Sequence, residues 1–78
     1  MWYVYILKCS DNSYYTGCTN NLKERLIRHN KGFVHYIKNK LPVDLITYVA
    51  FSDKTKAFSF EKYLKSGSGT AFRNRRLI

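Results

Sequence analysis

The chain has 78 residues, among them 14 lysines and arginines against five acidic residues, so its formal net charge is +9. That length suits one small domain with a modest core and excludes a second domain. The charge favours a polyanionic partner, because each phosphate that is neutralised releases counterions on binding. Small basic domains are also often merely soluble, or bind RNA without chemistry, so charge alone does not indicate catalysis.

The cysteines and the first residues indicate a reduced, soluble, cytoplasmic protein. Cys9 and Cys18 fall on strands that we expect to pair and could lie near one another, but two thiols make no disulfide framework. No Cys-x-x-Cys or His-x-x-x-His metal spacing occurs. The start of the chain lacks the basic leader and cleavage site of a signal peptide. No apolar run approaches the roughly 20 residues that cross a bilayer, so we expect no membrane partner.

The first two predicted elements form a β-hairpin. Residues 2–8 are dense in aromatic and β-branched side chains, and residues 9–13 favour a turn before a second aromatic run that breaks at Gly17. The register stays open at this point. Tyr5 and Tyr15 share a face only if the loop is of the odd, bulged kind, whereas a tight two-residue turn would place Tyr15 opposite Lys8.

The run after the hairpin predicts a helix that begins near Asn20 or Asn21, because either asparagine can cap it. Glu24 completes a variant of the capping box from Asn21, so we expect it to be structural rather than catalytic. Lys31-Gly32 ends the helix in the usual manner. The expected buried stripe consists of Leu22, Leu26 and Ile27.

The second half of the chain predicts one strand and two helices. Residues 33–42 fit a short helix or an ordered loop with a basic surface, and a strand follows over 43–51. Ser52 or Asp53 caps a helix from about 54 to 65 that a Ser-Gly-Ser-Gly sequence stops, and a terminal helix follows from 68 or 69. The side chains expected to pack inward are Ala57, Phe60 and Leu64, then Ala71, Phe72 and Leu77, with Arg73, Arg75 and Arg76 in solvent.

The order strand, strand, helix, variable segment, strand, helix, helix indicates a mixed α/β (α+β) domain over residues 1–78. We expect a three-stranded sheet with helices packed against it. Consecutive hairpin strands should be antiparallel, while the place of the third strand does not follow from the pattern.

Several residues indicate chemistry only as a set. Taken singly, a tyrosine is a sheet aromatic, Arg25 a solvated helix arginine, and His29 a cation near a helix end. Glu61, which we expect near the apolar side of its helix, could simply pair with Lys65 four residues on. Arg25 and His29 are also four residues apart and share one helical face. Together, a tyrosine pair, an arginine, a histidine and one carboxylate are the parts that phosphodiester hydrolysis requires.

In such a site, Glu61 would bind a single hydrated Mg²⁺, or Mn²⁺, because a hard cation with one carboxylate keeps most of its waters. Arg25 would offset the charge that builds on the phosphate oxygens. A tyrosine in this cationic neighbourhood could take a proton from the attacking water.

The ordered motifs resemble those of the GIY-YIG nuclease superfamily over nearly the whole chain. The first motif is present as Tyr3-Val4-Tyr5 and the second as Tyr15-Thr16-Gly17, followed by Arg25, His29 and, on a later helix, Glu61. The Tyr-Val-Tyr-Ile-Leu opening, the Leu-Pro-Val before the third strand and the closing Glu-Lys-Tyr-Leu-Lys-Ser-Gly-Ser-Gly look like the small stand-alone UPF0213, or excinuclease-like, group. The resemblance implies a three-stranded antiparallel sheet flanked by helices.

The resemblance also implies a role for each residue. Tyr15 would be the general base, and Tyr5 would support the attacking water or metal-bound solvent. Arg25 would stabilise the scissile phosphate, Glu61 would hold the metal, and His29 would have a supporting part. The basic residues expected to bind nucleic acid are Lys23, Arg28, Lys38, Lys40, Lys65 and Arg73.

Two departures from the family pattern bear on function. Tyr3 replaces the glycine of the first motif, and Cys18 stands where many relatives carry a basic residue, so one phosphate contact is missing. Superfamily members usually choose a cleavage site with extra domains. We therefore expect a DNA endonuclease with little sequence specificity that acts on single-stranded or branched DNA, with an additional protein partner as one source of specificity.

Two hypotheses from other classes stay open. One is a non-catalytic nucleic-acid-binding module that retains the fold and stacks bases on its tyrosines. The other is a protein-interaction adaptor whose charge only confers solubility.

Overall fold

A computed structural model describes residues 1–78 and contains one antiparallel sheet and three α-helices. In chain order the elements are β1 (Trp2–Lys8), β2 (Tyr14–Thr19), α1 (Leu22–Asn30), one 3₁₀ turn (His35–Ile37), β3 (Asp44–Phe51), α2 (Lys54–Leu64) and α3 (Gly67–Arg76). The strand order is β2-β1-β3, so the first strand is central and both other strands are edges. The predicted α+β class and three-stranded antiparallel sheet are confirmed. None of the helices has the length and apolar character needed to span a bilayer.

The loop between β1 and β2 has an odd number of residues, as one of the two predicted registers required. Tyr15 pairs with Leu7, and Gly17 pairs with Tyr5, so Tyr5 and Tyr15 are diagonal neighbours on one face. Inside the loop, Asn12 adopts a φ of 69°, a left-handed conformation that asparagine tolerates better than most residues. β2 continues through Gly17 to Thr19, so the predicted break at this glycine is wrong.

The alternation of side chains along β1 separates the core into two clusters, one on each face of the sheet. The α1-side cluster contains Tyr5, Leu7, Cys9, Ile37 and Val43. The α2-side cluster contains Val4, Ile6, Cys18, Ala57 and Leu64. The two cysteines are thus free thiols buried in separate clusters, so the expectation that they lie near one another is wrong.

Local hydrogen bonds set the start and end of α1. The Asn21 side chain accepts from the Glu24 amide at 3.1 Å, as predicted for the cap. The Asn21 amide donates to the Thr19 hydroxyl at 3.1 Å, so Glu24 does not complete the second half of a capping box. Gly32 follows the helix with a φ of 76°, and its amide donates to the His29 carbonyl at 3.0 Å.

The buried face of α1 differs from the predicted one. Ile27 is 46% exposed, whereas His29 has no exposed surface. With about 100° between successive residues, His29 lies roughly 20° from Leu22 around the helix, and Ile27 lies roughly 140° from it. The predicted stripe is therefore right for Leu22 and Leu26 and wrong for Ile27, whose place a histidine takes.

The last two helices meet at a close turn. Asp53 caps α2 by accepting from the Thr55 and Lys56 amides, and the Ser66 side chain caps α3 by accepting from the Gly69 amide. The Ser-Gly-Ser-Gly sequence therefore begins α3 as well as ending α2. A Cβ at Gly69 would overlap the carbonyl group of Tyr63, so only glycine permits this approach.

The close turn also decides which side of α3 faces the protein. Gly69, Arg73 and Leu77 follow one another at intervals of four on the inner side, and Leu77 packs against the α2-side cluster. Ala71 and Phe72 are exposed, so their predicted burial is wrong. Arg73, expected in solvent, is half-buried with its guanidinium 5.1 Å from the centre of the Tyr14 ring.

Candidate active site

The candidate site lies at the β2 edge of the sheet, where the Tyr5 side chain from the central strand reaches over the edge strand. Tyr5 is paired with Gly17, and a Cβ at Gly17 would overlap the hydroxyl and Cζ of the Tyr5 ring. The glycine of the second motif is therefore required because the phenol lies directly over its backbone.

The Tyr5 hydroxyl forms a buried hydrogen bond with His29 Nε2 at 2.8 Å. The half-buried Tyr15 ring packs edge-on against the imidazole, with ring centres 5.2 Å apart, and lies 6.4 Å from the Tyr5 ring. His29 Nδ1 is buried without a hydrogen-bond partner. Three predicted site residues thus form one aromatic cluster between β1, β2 and α1.

Burial keeps the Tyr5–His29 pair uncharged at neutral pH. Desolvation raises the pKa of Tyr5 to about 12, although the neighbouring Arg25 guanidinium acts in the opposite direction. Desolvation lowers the pKa of His29 to about 4, and the charges of Arg25 and Arg28 act in the same direction. The phenol is therefore protonated and the imidazole is neutral, which makes the bond between them a neutral one.

Arg25 and Glu61 approach this edge from helices on opposite faces of the sheet. Burial raises the pKa of the Cys18 thiol, Glu61 raises it further, and Arg25 lowers it. The same two charges act on the Tyr5 phenol, again in opposite directions. A guanidinium and a carboxylate therefore lie close to the same short stretch of the hairpin. Cys18 itself is a buried core residue, so its thiol is not available to contact a phosphate.

The Glu61 side chain is 18% exposed and forms an ion pair with Lys65, whose Nζ lies 3.1 Å from Glu61 Oε2. Both expectations for this residue are met, since the carboxylate is turned toward the protein and is also paired at i+4. The Lys65 side chain is 55% exposed, so its ammonium can move into solvent and free the carboxylate at little energetic cost.

The donor set does not fit a zinc site and leaves Glu61 as a single carboxylate for a hydrated cation. No group of three or more histidine, cysteine, aspartate or glutamate side chains could hold a metal ion. Zinc would need three or four such ligands. Mg²⁺ is commonly held by one or two carboxylates together with waters and substrate phosphates, and a single carboxylate such as Glu61 is compatible with that pattern.

The structure places Tyr5, Tyr15 and His29 in one cluster, with Arg25 and Glu61 near enough for their charges to act on Tyr5. One expected role differs, because Tyr5 is fully buried and its hydroxyl has no open path to an attacking water. Tyr5 instead contacts His29 directly and lies beside Tyr15. Of the two tyrosines, only Tyr15 borders open space.

The six basic residues expected to bind nucleic acid are not equally close to the site. Lys65 and Arg73 line a groove of about 480 Å³ beside Tyr15. Lys40 lies nearby, with its Nζ 5.0 Å from the centre of the Tyr36 ring and 3.7 Å from Asp11 Oδ2. Lys23 borders a second depression beside Tyr48, whereas Arg28 and Lys38 are exposed and line neither.

Sequence reasoning missed Tyr36 as a wall of this groove. Its ring centre lies 5.8 Å from that of Tyr15, although the two residues are far apart in the chain. An aromatic residue within a lysine-rich segment was the available signal. The segment had no clear periodicity, so nothing in the sequence indicated that it folds back against β2.

Comparison with known proteins agrees with this arrangement. A family model described as the GIY-YIG catalytic domain matches residues 1–75. The chain therefore belongs to the GIY-YIG family of nuclease domains, as the motifs predicted.

Within that family, its relatives are UPF0213 proteins. One from Clostridium perfringens is 48% identical over 66 residues, which cover 83% of this chain and 71% of the relative. One from Staphylococcus haemolyticus is 45% identical over 67 residues, covering 85% and 82%. The solution NMR structure of a UPF0213 protein from Bacillus halodurans is 32% identical, with a TM-score of 0.61 over 99% of this chain and 87% of that one. The predicted UPF0213 relationship is confirmed.

Proposed function

We propose that the chain is a divalent-metal-dependent endonuclease that hydrolyses phosphodiester bonds in DNA with little sequence specificity. The observation that carries the proposal is that the charges of Arg25 and Glu61, from opposite faces of the sheet, both act on the Tyr5 phenol, whose ring lies beside that of Tyr15. Phosphodiester hydrolysis requires a cation that binds the phosphate, a carboxylate that binds a metal ion and a phenol that accepts a proton from water. Membership of a nuclease-domain family supports the same class of reaction.

Tyr15 is the proposed general base. Tyr5 is fully buried and its pKa is raised to about 12, so it holds its proton at neutral pH. Tyr15 borders the groove and can meet a water molecule there. Tyr5 and His29 act as positioning residues, because their hydrogen-bonded pair supports one side of the Tyr15 ring.

Arg25 and Glu61 provide the charges for the reaction. The Arg25 guanidinium would bind the scissile phosphate, since its planar donors match phosphate oxygens, and would stabilise the charge that develops on them. Glu61 would hold Mg²⁺ or Mn²⁺ after Lys65 moves aside. When bound, such a cation supplies Lewis-acid stabilisation of phosphate charge.

The side chains at the surface near the site support binding to DNA without a preferred sequence. Lysine and arginine side chains bind phosphates and carry no sequence information, and tyrosine rings stack on any base. The groove beside Tyr15 has this composition. An additional protein partner would then supply specificity, and single-stranded or branched DNA is the expected substrate.

A cleavage assay with a matched pair of variants tests this function. Labelled single-stranded, duplex and branched DNA would be incubated with the purified protein in Mg²⁺, Mn²⁺ or EDTA. We expect cleavage that EDTA abolishes, and a loss of about 100-fold or more in Glu61→Gln. Glu24→Gln, in which an exposed glutamate of α1 loses the same charge, should cleave like the parent.

Two results would contradict the proposal. Cleavage by Glu61→Gln at the parent rate would remove the metal-binding role of this carboxylate. Salt-sensitive DNA binding with no turnover of any substrate would favour the non-catalytic binding module instead. Parallel assays with Tyr15→Phe and Tyr48→Phe separate the proposed base from an exposed tyrosine on the far edge strand.

A further inference from the structure

The groove beside the candidate site has two chemically different walls. Aromatic rings form one part and cationic side chains the other, while none of the lining residues is acidic. The groove is open to solvent, and Tyr15, the proposed base, is one of its lining residues. The lining residues that matter here are Tyr14, Tyr15, Tyr36, Lys65, Thr70 and Arg73.

The aromatic wall presents an unusually exposed ring. Tyr36 is 69% exposed, although its ring packs against Tyr15 with an interplanar angle of 40°. Lys40 Nζ lies 5.0 Å from the centre of the same ring and adds a positive charge next to it. A large flat ring held in place but left uncovered is the arrangement on which nucleic-acid bases stack.

The cationic wall is held in place by its own contacts. The Arg73 guanidinium lies over the Tyr14 ring, and its Nε and Nη2 donate to Asn74 Oδ1 at 3.2 and 3.0 Å. The remaining donors of the guanidinium are free for a phosphate. Lys65 lines the same groove and, once separated from Glu61, adds a second cation.

The dimensions of the groove limit what it can hold. A volume of about 480 Å³ matches a ligand the size of one or two nucleotides. Nucleotides stacked and paired inside a duplex cannot enter such a space without being extruded from the stack. The ligand that fits both the size and the two walls is therefore an unpaired nucleotide.

We propose that this groove binds an unpaired nucleotide next to the phosphodiester bond that is cleaved. Its base stacks on Tyr36 and its phosphate lies between Lys65 and Arg73. This inference rests on the proposed nuclease function, because the position of the nucleotide relative to the cleaved bond assumes that Tyr15 is the base. Thr70 is already bonded to the Leu64 carbonyl, at 3.4 Å, so the groove offers few groups that read base edges. The preference is for unpaired structure rather than for a sequence.

Binding in EDTA tests the groove separately from catalysis. Fluorescence anisotropy would compare a labelled single-stranded oligonucleotide, the same strand in a duplex, and the single strand with an abasic site at each position in turn. Tyr36→Ala should weaken single-strand binding by about 5- to 100-fold, and duplex binding by less than about 2-fold. One abasic position in the parent should reproduce the loss, and Tyr36→Ala should then add nothing to it.

Matched controls come from exposed residues of the same types. Tyr48→Ala, on the opposite edge strand, is the control for Tyr36→Ala, and Arg76→Ala is the control for Arg73→Ala. Both control variants should bind the single strand within about 2-fold of the parent protein. Arg73→Ala should also reduce the salt dependence of log K by about 0.7, the contribution of one phosphate on a single strand. Thermal melts followed by circular dichroism would check that each variant is folded.

The outcomes separate this inference from the function on which it rests. Equal losses of single-strand and duplex binding in Tyr36→Ala, or no loss in either, would overturn the groove proposal even if the protein cleaves DNA. Tyr36-dependent single-strand binding by a protein that cleaves nothing would overturn the nuclease proposal and leave the groove as a binding site.

Discussion

The two sides of the candidate site are built on different physical principles. On the α1 side, Tyr5 and His29 form a fully buried hydrogen bond of 2.8 Å between two neutral groups. On the α2 side, Glu61 and Lys65 form an ion pair of 3.1 Å in which the lysine side chain is open to solvent. Both pairs flank the same edge strand, yet only one of them can change its partners easily.

This difference indicates a division of roles. A buried hydrogen bond is costly to break, because each freed group would remain without a partner inside the protein. An exposed i,i+4 ion pair contributes only a few tenths of a kcal/mol, so a cation or phosphate can replace one of its members. We therefore expect the α1 side to position the reacting groups and the α2 side to exchange ligands.

The largest expected effect comes from Gly17→Ala. Its β-methyl would overlap the Tyr5 hydroxyl, so the ring and its bond to His29 must be displaced. We expect the free energy of unfolding to fall by about 3 kcal/mol or more. Urea denaturation measures this change. Gly67→Ala is the control, because a Cβ at this position meets nothing within 4 Å. Its free energy of unfolding should rise by up to about 1 kcal/mol. Equal stability of the two variants would show that the Tyr5 ring does not need the glycine.

The second prediction concerns the pH dependence of stability. The pKa of His29 is lowered from 6.5 to about 4, so the unfolded chain binds the extra proton between these values. The free energy of unfolding should therefore be highest above about pH 6.5 and fall as the pH drops toward 4, by up to about 3 kcal/mol. Denaturation at a series of pH values measures it.

Two variants isolate this histidine from the carboxylates that titrate in the same range. His29→Gln should lose the His29 contribution to the slope, whereas His35→Gln, at an exposed histidine, should retain it. An unchanged slope in His29→Gln would mean that the imidazole is charged in the folded protein.

The third prediction tests the hydroxyl at the centre of the α1 side. Tyr5→Phe keeps the ring but leaves His29 Nε2 without a partner, as His29 Nδ1 already is. We expect the free energy of unfolding to fall by about 1 to 2 kcal/mol. Tyr48→Phe, at an exposed ring, should stay within about 0.5 kcal/mol of the parent. If both variants matched the parent, the buried bond would not stabilise the fold.

The smallest expected effect on stability is that of Lys65→Met, which keeps an aliphatic stem and removes the charge. The free energy of unfolding should change by less than about 1 kcal/mol, because the ion pair is exposed. Mn²⁺ binding, followed by electron paramagnetic resonance, should strengthen, since the carboxylate loses a competing cation. Lys62→Met on the same helix serves as the control. A loss above about 2 kcal/mol would contradict the exchangeable character of the α2 side.

Local interactions explain most of what could be predicted. Asn21 and Asp53 are helix caps whose partners lie two or three residues away, and each is one of the two candidates predicted for its helix. The bounds of β1 follow from its dense aromatic and β-branched composition. The candidate site residues were identified as an ordered set, because their types and spacing match the motifs of the GIY-YIG family.

The sequence by itself thus determined the element types and narrowed most of the caps to two candidates, and it supplied the five candidate site residues. Only the tertiary structure decided how these residues meet. The loop with Asn12 at a positive φ selected the register that puts Tyr5 beside Tyr15, and a hydrogen bond between β1 and α1 holds His29 in the core. The contact between Tyr5 and His29 depends on segments that are far apart in the chain, and the neighbours of either residue in the sequence carry no information about it. The convergence of Arg25 and Glu61 is of the same kind, since it requires β2 to be an edge strand with a helix on each face.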